Sequence, residues 1–579
     1  MAMKSRTTVA VACVLIGFAI VVGRLFTLQV LDYPLYQKLS LSERERLSPI
    51  EGARGMILSA DGKPLADNQI VISLAADPEQ VRKSGNVRLL ADRLAPILGE
   101  SPGHLRQLLN LHRRFVWLAH DISTRKHHLI GSRIRGLYFL PEKRRIYPYG
   151  SIFRSVVGFV RPDGSALYGI EKGYDKVLSG HRGQMIREVS ARGRSYFQVQ
   201  TESLDRLSGD TVQTTLISGL QSYAQDALDE EVDATKAQGG IVLVMDPRSG
   251  AILAMASRGE GRWAGTSPGV SIVYEPGSIF KLVTASAALN EHRVRPDETF
   301  FCYNGSMRIP GGVLHDAEPL GDLTLGGILA HSSNIGISQV ALRLGPSTFE
   351  RYIRAFGFGK RTGIDFPGES RGFFRSSRQW SKRSIYTIAM GQEIGVTPIQ
   401  LATAVSAIAN GGMLMRPYIV SRVLSPDGKI VEQHRPVPVR RVISPETSRT
   451  LLSLLTGVVS HGGTGESAAI TGFDVAGKTG TAEVYDSVLH RYSRTRTVDS
   501  FVGILPASHP TLVVLAVVIQ PQGISWGGTV AAPLFRKVAE MALVHFRIPA
   551  EESVPAPALA RADISEPGRT EAGKSTTPP

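Results

Sequence analysis

The chain has little sulfur that could pair. Of its 579 residues only two are cysteine, Cys13 and Cys302, and Cys13 lies in an apolar N-terminal run. A disulfide scaffold is therefore excluded, and no Cys/His spacing reads as a zinc site. The adjacent pair His127-His128 stands alone, so no metal is expected. Aromatic residues make up 7% and tryptophan is found four times, while Gly (59) and Pro (33) sit near average usage, which excludes collagen-like chains. Long apolar runs are also scarce: there is one, at the N-terminus, so a polytopic membrane protein is excluded. Acidic residues are outnumbered, 51 against 66 basic ones, giving a net charge of +15. Such a balance suits an anionic surface or polymer without choosing among nucleic acid, membrane and cell wall.

The N-terminal run is informative. Lys4 and Arg6 precede Thr7 to Gly23, which carries no charge and spans roughly 26 Å as a helix, nearly a bilayer core. Arg24 can snorkel to the interface, extending the apolar stretch to Leu31. No small-x-small cleavage site follows, so residues 7–31 read as an uncleaved signal anchor rather than a signal peptide. The basic residues in 1–6 keep that end in the cytoplasm. The rest then lies outside the cytoplasmic membrane, which disfavours nucleic acid as a partner. Leu25 to Arg46 reads as a helix leaving the membrane.

Residues 45–210 mix short strands with charged helices such as Asn86 to Leu98, and Asp61-Gly62 reads as a turn between strands. No cluster there carries chemistry. A helical repeat from Leu216 to Val232 then gives way to an apolar strand at Gly240 to Asp246 and a second at Ala251 to Ala256. Asp499 to Leu505 and Thr511 to Gln520 read as further strands, with helices such as Ser278 to Asn290 and Thr397 to Asn410 between. This order predicts an α+β domain over 235–547. Residues 549–579, rich in Pro, Ala, Glu, Ser and Thr, read as a disordered tail.

Three short segments carry the chemistry. In Glu275-Pro276-Gly277-Ser278-Ile279-Phe280-Lys281, Pro-Gly opens a helix and places Lys281 three residues after Ser278 on one face. A serine hydroxyl needs a base, and a lysine serves only if burial or a neighbouring cation lowers its pKa. Alone this pattern is weak, for Ser123-Thr124-Arg125-Lys126 repeats it in a charged stretch without Pro-Gly. Ser332-Ser333-Asn334 offers a hydroxyl and an amide, or a simple helix cap. Lys478-Thr479-Gly480-Thr481 reads as a strand whose glycine admits a close ligand, or as an ordinary strand edge. Together, in this order, the three match the active-site serine transferases and β-lactamases.

On these motifs, and on the stretches RIYPYG (from Arg145), GIEKGYDKVLSG (from Gly169), FGFGKRTGIDFPGES (from Phe356) and GQEIGVTPIQLATAVSAIANGG (from Gly391), the chain resembles the class B penicillin-binding proteins, most closely their septal, FtsI-type branch. The resemblance covers most of residues 1–547. It implies an antiparallel sheet flanked by helices, standing on an elongated non-catalytic pedestal of the dimerisation type at 45–210. It implies a peptidoglycan D,D-transpeptidase that passes through a Ser278 acyl-enzyme and is a target of β-lactams. Lys281 would take the Ser278 proton, and Ser332 with Lys478 would relay a proton to the leaving amine. Asn334 would bind the substrate amide, and Thr479, Gly480 and Thr481 the terminal carboxylate side. No cofactor is implied. Partners would be peptidoglycan stem peptides, a polytopic FtsW-type glycosyltransferase and other division proteins, at the cytoplasmic membrane. The alternatives are an elongation-type transpeptidase, a β-lactamase or D,D-carboxypeptidase, and a non-catalytic β-lactam sensor or scaffold.

Overall fold

The computed structural model describes residues 2–37, 45–131, 134–161, 164–189, 195–200, 207–259, 266–486, 491–523 and 526–550. The tail expected at 549–579 thus lies almost wholly outside the described residues. The chain divides into two compact units.

The first unit holds residues 1–55, 177–210 and 425–428. Its helix Ala2–Phe26 runs on as a π-helical turn, Thr27–Leu31. The 24-residue span Thr8–Leu31 is long and apolar enough to cross a membrane. Its large apolar side chains are exposed all round, Phe18 by 67% and Ile20 by 66%, as a lipid-facing helix requires. The expected continuation to Arg46 is corrected. Asp32 ends the π turn, a short helix covers 33–37, and a strand begins at Glu45. Pro34 has no N–H to carry the helical ladder forward. The unit's other strands, Arg182–Val189 and Ser195–Gln200, complete an antiparallel sheet with Arg182–Val189 in the middle.

The second unit holds residues 56–176, 211–424 and 429–579. One of its sheets threads distant segments together in the order Ile430–Gln433, Val420–Leu424, Thr211–Thr214, Ile57–Leu58, Pro64–Ala76 and Val116–Ala119, with Leu137–Ile146 also paired to Pro64–Ala76. The turn at Asp61 also fixes the start of helix α1, Ser218–Thr235, because the Asp61 carboxylate accepts from Ser218 N–H (3.1 Å) and Ser218 Oγ–H (2.6 Å). The helices Val87–Leu98 and Pro102–Leu109 bury Leu90, Leu94, Leu105 and Leu109 against Leu74 and Leu118. Three of the quoted stretches meet in buried polar links. Arg145 pairs with Glu171 at 2.8 Å with both side chains buried. Tyr147 donates to Glu171 (3.3 Å), and Tyr174 donates to Asp365 (3.3 Å), which caps the backbone N–H of Ile419 and Val420.

The other large sheet frames the site. Its strands are β1 (Gly239–Met245), β2 (Ile252–Gly259), β3 (Ala476–Asp486), β4 (Arg491–Leu505) and β5 (Leu512–Ile519), in the order β2-β1-β5-β4-β3, all antiparallel. β1 and β5 are buried at every residue, as central strands covered on both faces must be. α1 and α5 (Ala531–His545) cover one face: a Cβ on Gly240 would strike Leu228, and one on Gly503 would strike Phe535. The opposite face carries α4 (Pro398–Ala409), opened by a Thr397–Gln400 capping box and buried throughout. The first and last strands of the domain, β1 and β5, lie side by side, and β3 is left at the edge. β4 starts eight residues before the expected Asp499, because Arg491, Arg494 and Arg496 break the apolar pattern of its first half.

Candidate active site

Ser278 lies in a 3-10 turn, Gly277–Phe280, that feeds helix α2, Lys281–Asn290. With about three residues per turn, a 3-10 segment stacks positions i and i+3, which sets Lys281 beside Ser278. Gly277 is bound to this place. Its φ is +52°, and a Cβ would come within 2.9 Å of the Thr481 carbonyl oxygen. Behind it, a Cβ on Gly391 would lie 2.1 Å from the Gly277 oxygen, which gives the GQEIG stretch a steric reason. Glu275 ties the same turn down: its carboxylate accepts from Glu393 N–H (3.0 Å) and Tyr492 Oη–H (3.1 Å), and burial raises its pKa.

Helix α3, Asn334–Leu344, is capped by Ser333, whose Oγ accepts from Gly336 N–H at 2.9 Å. Ser332 precedes the cap with φ +56°, a left-handed conformation that side chains seldom adopt. That bend turns both of its oxygens to Lys281. Lys281 Nζ contacts the Ser332 carbonyl oxygen, Ser332 Oγ (3.0 Å) and Asn334 Oδ1 (2.8 Å). From the edge strand β3, Lys478 Nζ reaches the same Ser332 Oγ at 3.0 Å. Both lysines are completely buried. Burial lowers the Lys281 amine from 10.5 to about 7, while the Asp316 carboxylate pulls it back up. Lys478 is pushed well down by burial and then by the Lys281 charge. A neutral lysine has two N–H bonds and one lone pair, so it can donate to the Ser332 carbonyl and Asn334 and still take a proton.

Thr479 Oγ1 donates to Thr464 Oγ1 (3.1 Å), and Thr481 Oγ1 accepts from Gly527 N–H (3.0 Å). Gly480 is needed for close packing: a Cβ there would meet Ser500 Oγ at 2.4 Å and Ile279 at 3.0 Å. The structure therefore brings Lys281, Ser332, Asn334 and Lys478 into one hydrogen-bonded group, with Thr479, Gly480 and Thr481 on the adjoining strand. Ser278 stands half-buried beside it and, among the described residues, its hydroxyl has no hydrogen-bond partner. The second Ser-x-x-Lys is only a cap: Ser123 Oγ accepts from Lys126 N–H at the start of helix Thr124–Ile130. Two neighbours escaped the sequence reading, Thr464 and Asp316. Neither belongs to a motif, and both arrive by tertiary approach.

Residues 240–540 match the family of the penicillin binding protein transpeptidase domain, and residues 49–214 match the penicillin-binding protein dimerisation domain. This chain belongs to the class B penicillin-binding proteins. Among curated relatives, penicillin-binding protein PbpB of Mycolicibacterium smegmatis is 33% identical over 482 residues, covering 79% of this chain and 74% of that protein. Stage V sporulation protein D of Bacillus subtilis is 33% identical, covering 90% and 82%. Peptidoglycan D,D-transpeptidase FtsI of Escherichia coli K12 is 30% identical, covering 92% and 90%. A crystal structure of penicillin binding protein 3 from Mycobacterium tuberculosis, complexed with aztreonam, superposes with a TM-score of 0.67 at 27% identity, covering 87% of this chain and 98% of that one. In this penicillin-binding protein the three motifs converge around a single hydroxyl, Ser332 Oγ, shared by two buried lysines.

Proposed function

We propose that this protein is a serine-type peptidoglycan D,D-transpeptidase of septal cell-wall synthesis and a target of β-lactams. The observation that carries the reading is Ser332 Oγ at 3.0 Å from both Lys281 Nζ and Lys478 Nζ. This arrangement supports a proton path beside an unengaged serine hydroxyl. Lys281, as the neutral amine, takes the Ser278 proton while Oγ attacks the penultimate D-Ala carbonyl of a stem peptide. The C–N bond to the terminal D-Ala breaks, and its amine receives a proton through Ser332 from the lysine pair. Backbone N–H groups of Ser278 and of Thr481, on the open edge of β3, hold the oxyanion. Lys478, Thr479 and Thr481 hold the terminal carboxylate, Gly480 lets the donor lie close against β3, and Asn334 holds a substrate amide. An amine from a second stem peptide then attacks the ester, forming the crosslink and freeing Ser278.

The same site takes a β-lactam as a donor mimic, and the likeness to the FtsI relative supports the division role. Thr8–Leu31 acts as a single anchor with residues 1–6 in the cytoplasm, residues 45–210 form a non-catalytic pedestal and 235–547 the transpeptidase domain. Glycan polymerisation falls to an FtsW-type partner among the division proteins. The test is labelling with fluorescent penicillin: Ser278→Ala should abolish it and Ser123→Ala should leave it intact. Full labelling of Ser278→Ala would reject the assignment.

A further inference from the structure

Asp316 follows the hairpin strand Gly312–His315 and lies outside all three motifs. Its carboxylate nevertheless closes the start of α3. Oδ1 accepts from the backbone N–H of Asn334 (2.5 Å) and of Ile335 (3.0 Å), and Oδ2 accepts from Ser333 Oγ–H (2.7 Å). A carboxylate bonded to the N–H groups of a helix start is favoured by the charge of that end. The preceding residue completes the grip, since the His315 carbonyl accepts from Asn334 Nδ2 at 3.0 Å. The Asn334 amide is thereby oriented, with its Oδ1 left to face Lys281.

We infer that Asp316 is a positioning residue for acylation: it locks Ser332 and Asn334 onto Lys281, and its negative charge sets the pH at which Lys281 becomes a base. The inference rests on the proposed function. Its electrostatic part follows from the surroundings of Lys281. From β3 it faces Lys478, and from the loop after strand Gly312–His315 the anion Asp316. Its other polar neighbours, Ser278, Ser332 and Asn334, are neutral. Helix Pro346–Ala355 packs on α2 and carries Glu350, Arg351 and Arg354. Arg351 pairs with Glu291 (3.0 Å), just past the far end of α2, and Glu350 with Arg354 (2.8 Å). Helix Pro445–Val459 brings Glu446 and Arg449, but its start is tied to Asn290, also at that far end, through Ser444 N–H (2.7 Å). The length of α2 puts the Arg351–Glu291 pair and the start of helix Pro445–Val459 roughly 14 Å from Lys281, while Glu350 and Arg354 offset one another. The carboxylate of Asp316 accordingly opposes the loss of the Lys281 proton that burial promotes.

The experiment measures the second-order rate of acylation of the full-length protein by a fluorescent penicillin against pH, for wild type, Asp316→Asn and Asp316→Ala, with thermal unfolding of each. In Asp316→Asn the side-chain oxygen still accepts from Asn334 and Ile335, and its amide can donate to Ser333 Oγ, which turns its own hydrogen to Cys302 Sγ, 3.4 Å away. Its high-pH rate should stay within about tenfold, and the midpoint of its acidic limb should fall by roughly half a unit to one unit. Asp316→Ala, which also loses the grip on α3, should be more than about tenfold slower at every pH. A purely structural role would change rates and melting without moving the midpoint. Acylation of the wild type with an unmoved or raised midpoint in Asp316→Asn would overturn this role alone. No acylation of the wild type would overturn the proposed function and this role with it.

Discussion

Replacing Lys281 by methionine should make the protein sturdier at neutral pH while disabling it. Lys281 is fully buried, and its folded-state pKa of about 7 lies below its ordinary 10.5. The folded chain therefore binds fewer protons than the unfolded chain between these values, and stability rises with pH across that window. At about 1.4 kcal/mol per decade, the cost of keeping Lys281 buried at pH 7 is about 4 kcal/mol. Methionine removes that cost but strands the Ser332 carbonyl and Asn334 Oδ1, at about 1 kcal/mol each. The net gain at pH 7 is about 2 kcal/mol, a rise in Tm of about 3 °C for a domain of roughly 300 residues. By pH 10 the lysine cost has fallen below about 1 kcal/mol, so the sign reverses and the variant melts lower than wild type. Acylation by penicillin should meanwhile drop by about 10² or more, the scale of a lost general base. The assay is thermal unfolding of both full-length proteins in detergent at pH 7 and pH 10, beside the acylation rate. A variant that melts lower than wild type at pH 7, or a difference that ignores pH, would refute the reasoning.

Gly480→Ala forces a Cβ to within 2.4 Å of Ser500 Oγ and 3.0 Å of Ile279; acylation should fall by about 10² or more, since small displacements of reacting groups are expensive, and a wild-type rate would show that the edge strand tolerates the shift. Thr464→Val removes one hydrogen bond to Thr479, whose hydroxyl keeps Lys478 at 3.3 Å; a loss of about tenfold or less in acylation, measured by stopped-flow, is expected. The span Thr8–Leu31 should hold the intact chain in membranes through carbonate extraction, and a mature N-terminus beyond residue 24 would contradict the anchor.

The sequence showed the parts of the site that are local. Ser278 and Lys281 sit one turn apart, Ser333 and Asn334 open a helix, and Lys478 to Thr481 run along one strand, so spacing alone announces each. The strands β1 and β5 were equally plain, because continuous apolar runs mark central strands. What stayed hidden depends on chain segments meeting. Asp316 reads as one acid in a loop until α3 docks its N–H groups on it, and Thr464 reads as a turn threonine until it meets Thr479. The clash that requires Gly391 exists only once Gly277 is packed against it. The left-handed Ser332 could not be foreseen either, for nothing about serine favours φ +56°. The helix expected from Leu25 to Arg46 failed at a signal that was present, Pro34, which apolar periodicity outweighed.

The most direct test of transpeptidation is the product formed from peptidoglycan itself. The purified full-length protein is supplied with uncrosslinked glycan strands bearing pentapeptide stems, and the products are digested and weighed by mass spectrometry. Stem-peptide dimers should form, with one terminal D-Ala released for each crosslink, and both should be lost in Ser278→Ala. Monomeric tetrapeptides without dimers would instead identify a carboxypeptidase, and unchanged pentapeptides from a chain that still binds penicillin would identify a sensor.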